Sequence, residues 1–121
     1  MPLRLLLVDD NDAFLKAAGV LLQREGVTVV GTASNSAEAL QESRVLRPDV
    51  ILVDIGLGEG SGFDLARLLA RHGPSGADII MISALAEKDY AGLVAESPAV
   101  GFLSKSDVSV HAIERILGQP T

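Results

Sequence analysis

Five short aliphatic runs alternate with segments of helical spacing along this chain of 121 residues, and this alternation leaves few folds open. The runs lie at residues 3–8, 27–31, 49–54, 78–82 and 100–104. The first, third and fourth runs are mostly apolar, which is typical of strands that are covered by helices on both faces. Strands that alternate with helices form parallel sheets with right-handed crossovers. Because five such units are too few for an eight-fold barrel, we predict an open, doubly wound α/β sheet with five helices.

The segments between the runs carry helix signals. Asn35, followed three residues later by Glu38, has the spacing of a helix start, and Pro48 closes the same segment. The buried face of the first helix is predicted by the apolar spacing of Phe14, Ala18, Leu21 and Leu22.

Composition excludes several classes of function. A net charge of −6 and only one Tyr, three Phe and no Trp argue against direct binding of nucleic acid by this segment. No apolar run is long enough to span a membrane. With no cysteine and no recognisable signal sequence, we expect a cytoplasmic protein without disulfides. We predict one domain over residues 1–121, with 118–121 as the start of a linker.

Four of the five predicted strands lead into ionisable or hydroxyl side chains. Asp9 and Asp10 follow the first strand, Asp54 ends the third, Ser83 follows the fourth and Lys105 follows the fifth. Open α/β sheets bind their ligands beyond the carboxyl ends of the strands. We therefore expect these five side chains to converge at one edge of the sheet.

Three carboxylates at one edge need compensation. Two ionised carboxylates about 4 Å apart repel each other by roughly 4 kcal/mol at an effective dielectric constant of about 20. Lys105 can balance one charge, and a hard divalent cation with oxygen ligands can balance the remainder. A site that keeps several waters and leaves room for phosphate is typical of Mg²⁺. The sequence therefore predicts Mg²⁺ among Asp9, Asp10 and Asp54.

Four segments closely resemble the receiver domain of bacterial two-component response regulators. They read VDDN at 8–11, PDVILVDIGLGEGSG at 48–62, MISA at 81–84 and GFLSKS at 101–106. The resemblance covers the whole chain and implies a flavodoxin-like sheet with strand order 2-1-3-4-5. VVGTASNSAEAL and GFLSKS further resemble receivers that precede a helix-turn-helix domain. This implies transcription regulation through an attached or partner output domain.

The resemblance also implies a role for each polar residue. Asp54 would accept a phosphoryl group from a sensor histidine kinase or a phosphotransfer protein. Asp10 and Asp54 would ligate Mg²⁺ together with the backbone carbonyl of Gly56, and Asp9 would act directly or through water. Lys105 would stabilise charge on the phosphoryl oxygens.

The same resemblance implies a two-state switch. Ser83 would hydrogen-bond the phosphoryl group, and Phe102 would change rotamer with it; simple core packing is the alternative for Phe102. The fourth helix, fifth strand and fifth helix would form the output surface. The protein would be a signalling switch and not an enzyme, and a homodimer stays open.

The sequence departs from the receiver pattern at several positions. Gly58 replaces the usual proline after the acceptor, in a loop with four glycines among residues 56–62. Ser106 replaces the proline that commonly follows the lysine through a cis bond; we predict a trans bond, since a non-proline cis bond costs about 2.5–4 kcal/mol. Gly56 and Leu85 occupy positions that modulate hydrolysis of the phosphoryl group in this family. Neither can orient water, which predicts slow hydrolysis.

Other functions fit less well. A phosphatase built on Asp10 and Asp12 would need Thr or Ser soon afterwards, and a flavin phosphate would be repelled by these acids. The strongest alternative is a receiver that is never phosphorylated and acts as a protein interaction module. His72 and His111 are predicted on outward helix faces, away from any metal. Tyr90 is predicted either to pack the fourth helix or to face a partner.

Overall fold

The computed structural model describes residues 3–57, 61–85 and 89–118. Five parallel strands form one sheet in the order β2-β1-β3-β4-β5, which confirms the predicted fold and strand order. The strands are β1 Arg4–Val8, β2 Thr28–Ala33, β3 Val50–Asp54, β4 Asp78–Ser83 and β5 Gly101–Ser104. The α-helices are α1 Asp12–Arg24, α2 Ser36–Leu46, α3 Gly62–His72, α4 Ala91–Glu96 and α5 Val110–Leu117. A short 3₁₀ turn, Lys105–Asp107, follows β5.

The sheet is covered on both faces, as the apolar runs predicted. Leu6 and Val8 point into a core shared with α2, α3 and α4, whereas Leu5 and Leu7 point into a core shared with α1 and α5. All four side chains are fully buried. Because successive residues of a strand face opposite sides, only a continuous aliphatic run can satisfy both cores.

The strand ends differ slightly from their predicted positions. β2 extends beyond its predicted end to Ala33, because pairing with β1 continues after a register shift between Leu5 and Leu6 and reaches Val8. Ser83 is the last residue of β4 and does not follow it. Both differences lengthen strands at the carboxyl edge of the sheet.

The predicted face of α1 is partly wrong. Leu15, Ala18 and Leu22 are buried, Phe14 is half-buried, and Leu21 is 44% exposed. The spacing rule cannot distinguish Leu15 from Leu21 as the edge of the stripe, and the packing against the sheet selects Leu15.

The predicted start of α2 is confirmed. Asn35 caps the helix by accepting a hydrogen bond from the backbone N–H of Glu38, 2.9 Å away. The Glu38 carboxylate accepts hydrogen bonds from the backbone N–H and the hydroxyl of Ser34, which lowers its pKa. Arg47 ends the helix in a left-handed conformation just before Pro48.

Several smaller predictions are resolved by the fold. Tyr90 precedes α4 as its cap residue and packs, half-buried, against the core, which favours the packing interpretation. His72 and His111 are both exposed, as predicted. The described residues contain no cis peptide bond, so the Lys105–Ser106 bond is trans. Gly58 lies outside the described residues. None of the helices in the described ranges is long and apolar enough to cross a bilayer.

Candidate functional site

Three carboxylates converge beyond the carboxyl ends of β1 and β3. Oxygen atoms of Asp9, Asp10 and Asp54 all lie within 4.8 Å of one another. The convergence follows from the strand pairing, since Val8 of β1 lies opposite Val53 of β3. The next residues along each strand therefore emerge side by side at the same edge of the sheet.

An ammonium group reaches this carboxylate cluster from the turn after the edge strand β5. Lys105 begins the 3₁₀ turn after β5, and its Nζ lies 2.6 Å from Asp9 Oδ2 and 3.7 Å from Asp54 Oδ1. The Lys105 side chain is 19% exposed. The predicted meeting of this lysine with the acids is thus present in the geometry.

Asp9 is the most deeply buried of the three acids, with no exposed surface. Its Oδ1 accepts a hydrogen bond from the backbone N–H of Asn11 at 2.9 Å. Its Oδ2 lies 2.6 Å from the Lys105 ammonium, which supplies its counter-charge. An ionised carboxylate has about four lone-pair sites, so these two contacts still leave acceptor capacity for a cation.

The acid at the end of β3 and the hydroxyl at the end of β4 are also buried. Asp54 and Ser83 are each 6% exposed. Asp54 Oδ1 accepts a long hydrogen bond, 3.3 Å, from the backbone N–H of Gly56. Ser83 Oγ accepts the backbone N–H of Leu85 at 3.0 Å, which leaves the hydroxyl proton available for donation.

Burial raises the pKa of Asp54 above its usual value, and the charges of Asp9 and, more weakly, Asp10 raise it further. The Lys105 ammonium and the Gly56 N–H act in the opposite direction without cancelling these effects. The carboxylate is therefore held in a site that disfavours its own charge.

This pKa shift gives a testable dependence of stability on pH. The folded state raises the pKa of Asp54, so the folded protein binds the proton on this carboxyl more tightly than the unfolded chain does. The resulting stabilisation is fully present below the unfolded-state pKa and is lost as the pH rises through the folded-state pKa. Asp54→Asn is therefore expected to raise the free energy of unfolding at pH 7 without metal, on the order of 1 kcal/mol. Urea unfolding in EDTA at several pH values measures this effect. The gain should shrink below pH 4, and a variant less stable than the wild type at pH 7 would contradict the expectation.

The donor set fits a hard divalent cation. One ammonium cannot balance the charge of three clustered carboxylates. Carboxylate oxygens are the ligands that Mg²⁺ and Ca²⁺ prefer. Asp12 does not join the cluster: it starts α1, is exposed and lies 3.9 Å from Lys16.

The remaining candidates take different positions. Phe102 is 9% exposed and packs in the core shared with α2, α3 and α4. Two contributors to the site were missed by sequence reasoning. The ring of Phe14 lies 4.9 Å from Lys105 Nζ, and Gly62 lies directly against the backbone of Asp54. Neither has a local sequence signal. The Phe14 contact joins α1 to the turn after β5, far along the chain, and the Gly62 contact depends on how the first turn of α3 packs back against the end of β3.

Residues 5–116 match the family model described as the response regulator receiver domain. The chain belongs to this family. Among relatives, it is 30% identical over 112 residues to the transcriptional regulatory protein LnrK of Bacillus subtilis, covering 92% of this chain and 50% of that protein. It is 33% identical over 108 residues to a protein-glutamate methylesterase/protein-glutamine glutaminase of Archaeoglobus fulgidus, covering 87% of this chain and 30% of that enzyme. The receiver thus spans half or less of these two relatives.

A solved structure supports the same family assignment. A response regulator protein from Burkholderia pseudomallei, solved with a phosphorylated aspartic acid, a calcium ion and citrate, is 30% identical to this receiver. The two superpose with a TM-score of 0.80 over 94% of this chain and 65% of that one. This receiver is therefore a domain of two-component signalling, and its acidic cluster is a candidate site for a divalent cation.

Proposed function

We propose that Asp54 is the phosphoryl acceptor of this receiver and that a sensor histidine kinase or a phosphotransfer protein is the donor. The observation that carries the proposal is the meeting of Asp54 with two further carboxylates and the Lys105 ammonium. A carboxylate oxygen of Asp54 would attack the phosphorus of a phosphohistidine. The P–O bond forms as the P–N bond breaks, and the bonding electrons leave with the imidazole. The product is an acyl phosphate.

Electrostatics supplies most of the catalysis in such a transfer. Lys105 would stabilise charge on the transferred oxygens, since its ammonium already lies 3.7 Å from Asp54 Oδ1. Ser83 would donate its hydroxyl proton to the phosphoryl group from β4, the strand that pairs with β3. Asp9, Asp10, Asp54 and the carbonyl of Gly56 would hold Mg²⁺. The cation would neutralise charge on the phosphoryl oxygens when bound.

We further propose that the surface of α4, β5 and α5 transmits the phosphorylation state, with Ser83 and Phe102 as the switch. A β4–α4 loop drawn toward the phosphoryl group would change the space around Phe102. Transcription regulation through an attached or partner domain is supported by relatives such as LnrK, of which this receiver covers half. The methylesterase relatives are enzymes by name, so a catalytic output domain is the second candidate.

Acetyl phosphate provides a direct test of the acceptor. We expect wild-type protein incubated with acetyl phosphate and Mg²⁺ to gain the mass of one phosphoryl group, as measured by intact mass spectrometry. Asp54→Asn should abolish the gain, while exposed Asp64→Asn serves as the matched carboxylate control and should keep it. Omission of Mg²⁺ with added EDTA should also abolish it. A wild type that never gains mass would favour the unphosphorylated interaction module.

The phosphorylated form is expected to decay slowly. Gly56 has no side chain, and Leu85 is apolar and 56% exposed, so neither residue can orient a water molecule for attack. A purified phosphorylated sample, freed of acetyl phosphate and followed by mass spectrometry in Mg²⁺, should have a half-life of many minutes. Gly56→Asn is expected to shorten it several-fold. Decay of the wild type within seconds would contradict this expectation.

A further inference from the structure

The Lys105 ammonium has a third neighbour besides the two carboxylates. The ring of Phe14, in the first turn of α1, lies with its centroid 4.9 Å from Lys105 Nζ. Phe14 is half-buried and packs against the core that α1 shares with α5. Lys105 therefore lies between two acids and an aromatic face.

The position of this ring is tied to the same loop that positions Asp9. Asn11 donates its backbone N–H to Asp9 Oδ1 at 2.9 Å. The side-chain oxygen of Asn11 accepts the backbone N–H of Phe14 at 3.1 Å and thereby caps α1. One residue thus fixes both the acid and the ring that contact Lys105, so the two contacts form a single framework.

Lysine needs such a framework because its side chain is flexible. The ammonium is a compact charge on a four-carbon stem with several rotatable bonds. A cation within about 6 Å of an aromatic centroid is attracted by the face of the ring, most strongly where water is excluded. Because the Lys105 side chain is only 19% exposed, water screens this attraction little.

We propose that Phe14 is a positioning residue for phosphoryl transfer: it holds the Lys105 ammonium beside Asp54 by a cation–π contact. The inference rests on the proposed acceptor role of Asp54. Without the ring, Asp9 at 2.6 Å still attracts the ammonium, but the side of Lys105 that faces α1 is left open. The ammonium then spends less time where a phosphoryl oxygen on Asp54 would meet it.

The test separates the electronic effect of the ring from its bulk. Phe14→Leu keeps an apolar side chain and removes the ring, Phe14→Tyr keeps the aromatic face, and 3,4,5-trifluorophenylalanine at position 14 keeps the shape while weakening the attraction for a cation. Phosphorylation rates with acetyl phosphate at saturating Mg²⁺ are expected to fall about fivefold in Phe14→Leu and about threefold in the trifluorinated protein. Phe14→Tyr should retain the wild-type rate. Urea unfolding should give the fluorinated and wild-type proteins equal stability.

A second arm shows whether Phe14 acts through Lys105. In a Lys105→Ala background, Phe14→Leu should cause no further loss of rate, and exposed Leu21→Ala on the same helix should leave the wild-type rate unchanged. In NMR spectra, the ε-methylene protons of Lys105 should show an upfield ring-current shift that disappears in Phe14→Leu. A wild-type rate for the fluorinated protein, or equal losses with and without Lys105, would overturn the inference while leaving the acceptor role intact. If the wild type is never phosphorylated, the acceptor role fails and this inference falls with it.

Discussion

Substitution of Gly62 by alanine is expected to lower the free energy of unfolding by about 3 kcal/mol or more. Gly62 is the first residue of α3, and a β-carbon added there would overlap the carbonyl oxygen of Asp54 and lie 2.9 Å from Cα of Ile55. Both are backbone atoms at the end of β3, and backbone atoms cannot rotate away as a side chain can. The Gly62 N–H also donates to the Ile55 carbonyl at 2.8 Å, which fixes the close approach.

The same substitution should also impair phosphorylation, because the clash displaces Asp54, the residue proposed as the acceptor. Gly19→Ala is the matched control: Gly19 lies inside α1, and an added β-carbon meets no atom within 4 Å. That variant should be more stable than the wild type by roughly 0.5–1 kcal/mol, the usual gain of alanine over glycine in a helix. Urea unfolding of both variants measures the contrast. Wild-type stability for Gly62→Ala would show that α3 does not press on the site.

The sequence predicts which strands bring the polar residues together, but it does not predict close contacts such as that of Gly62. The fold follows from the alternation of strands and helices. The meeting of Asp9, Asp54 and Lys105 then follows because the carboxyl ends of parallel strands lie at one edge of the sheet. The contacts of Gly62 and Phe14 depend instead on how closely α3 and α1 pack against that edge. No local sequence pattern predicts how closely a helix packs. Helix-face periodicity fails for a similar reason at Leu21, whose burial depends on the sheet beside α1.

Removal of the ammonium gives the second large expected effect. Lys105→Met keeps a long unbranched side chain but leaves Asp9, which has no exposed surface, without its counter-charge at 2.6 Å. Breaking a buried ion pair by deleting one partner typically costs about 3–5 kcal/mol. Because Lys105 is itself 19% exposed, we expect a loss of about 2–4 kcal/mol for this pair in EDTA. Urea unfolding with and without Mg²⁺ should show a smaller loss in Mg²⁺, since the uncompensated carboxylates of the variant are expected to bind the cation more tightly than those of the wild type, and tighter binding gives more stabilisation by mass action.

A double-mutant cycle determines whether that loss comes from the unpaired charge. Asp9→Asn removes the buried carboxylate, so Lys105→Met should cost far less in that background than in the wild type. The coupling energy also bears on the proposed function: buried charges that destabilise the fold when left unpaired fit a site proposed to bind a cation and a phosphoryl group. If Lys105→Met costs the same in both backgrounds, its effect arises from lost packing against Phe14 and not from the ion pair with Asp9.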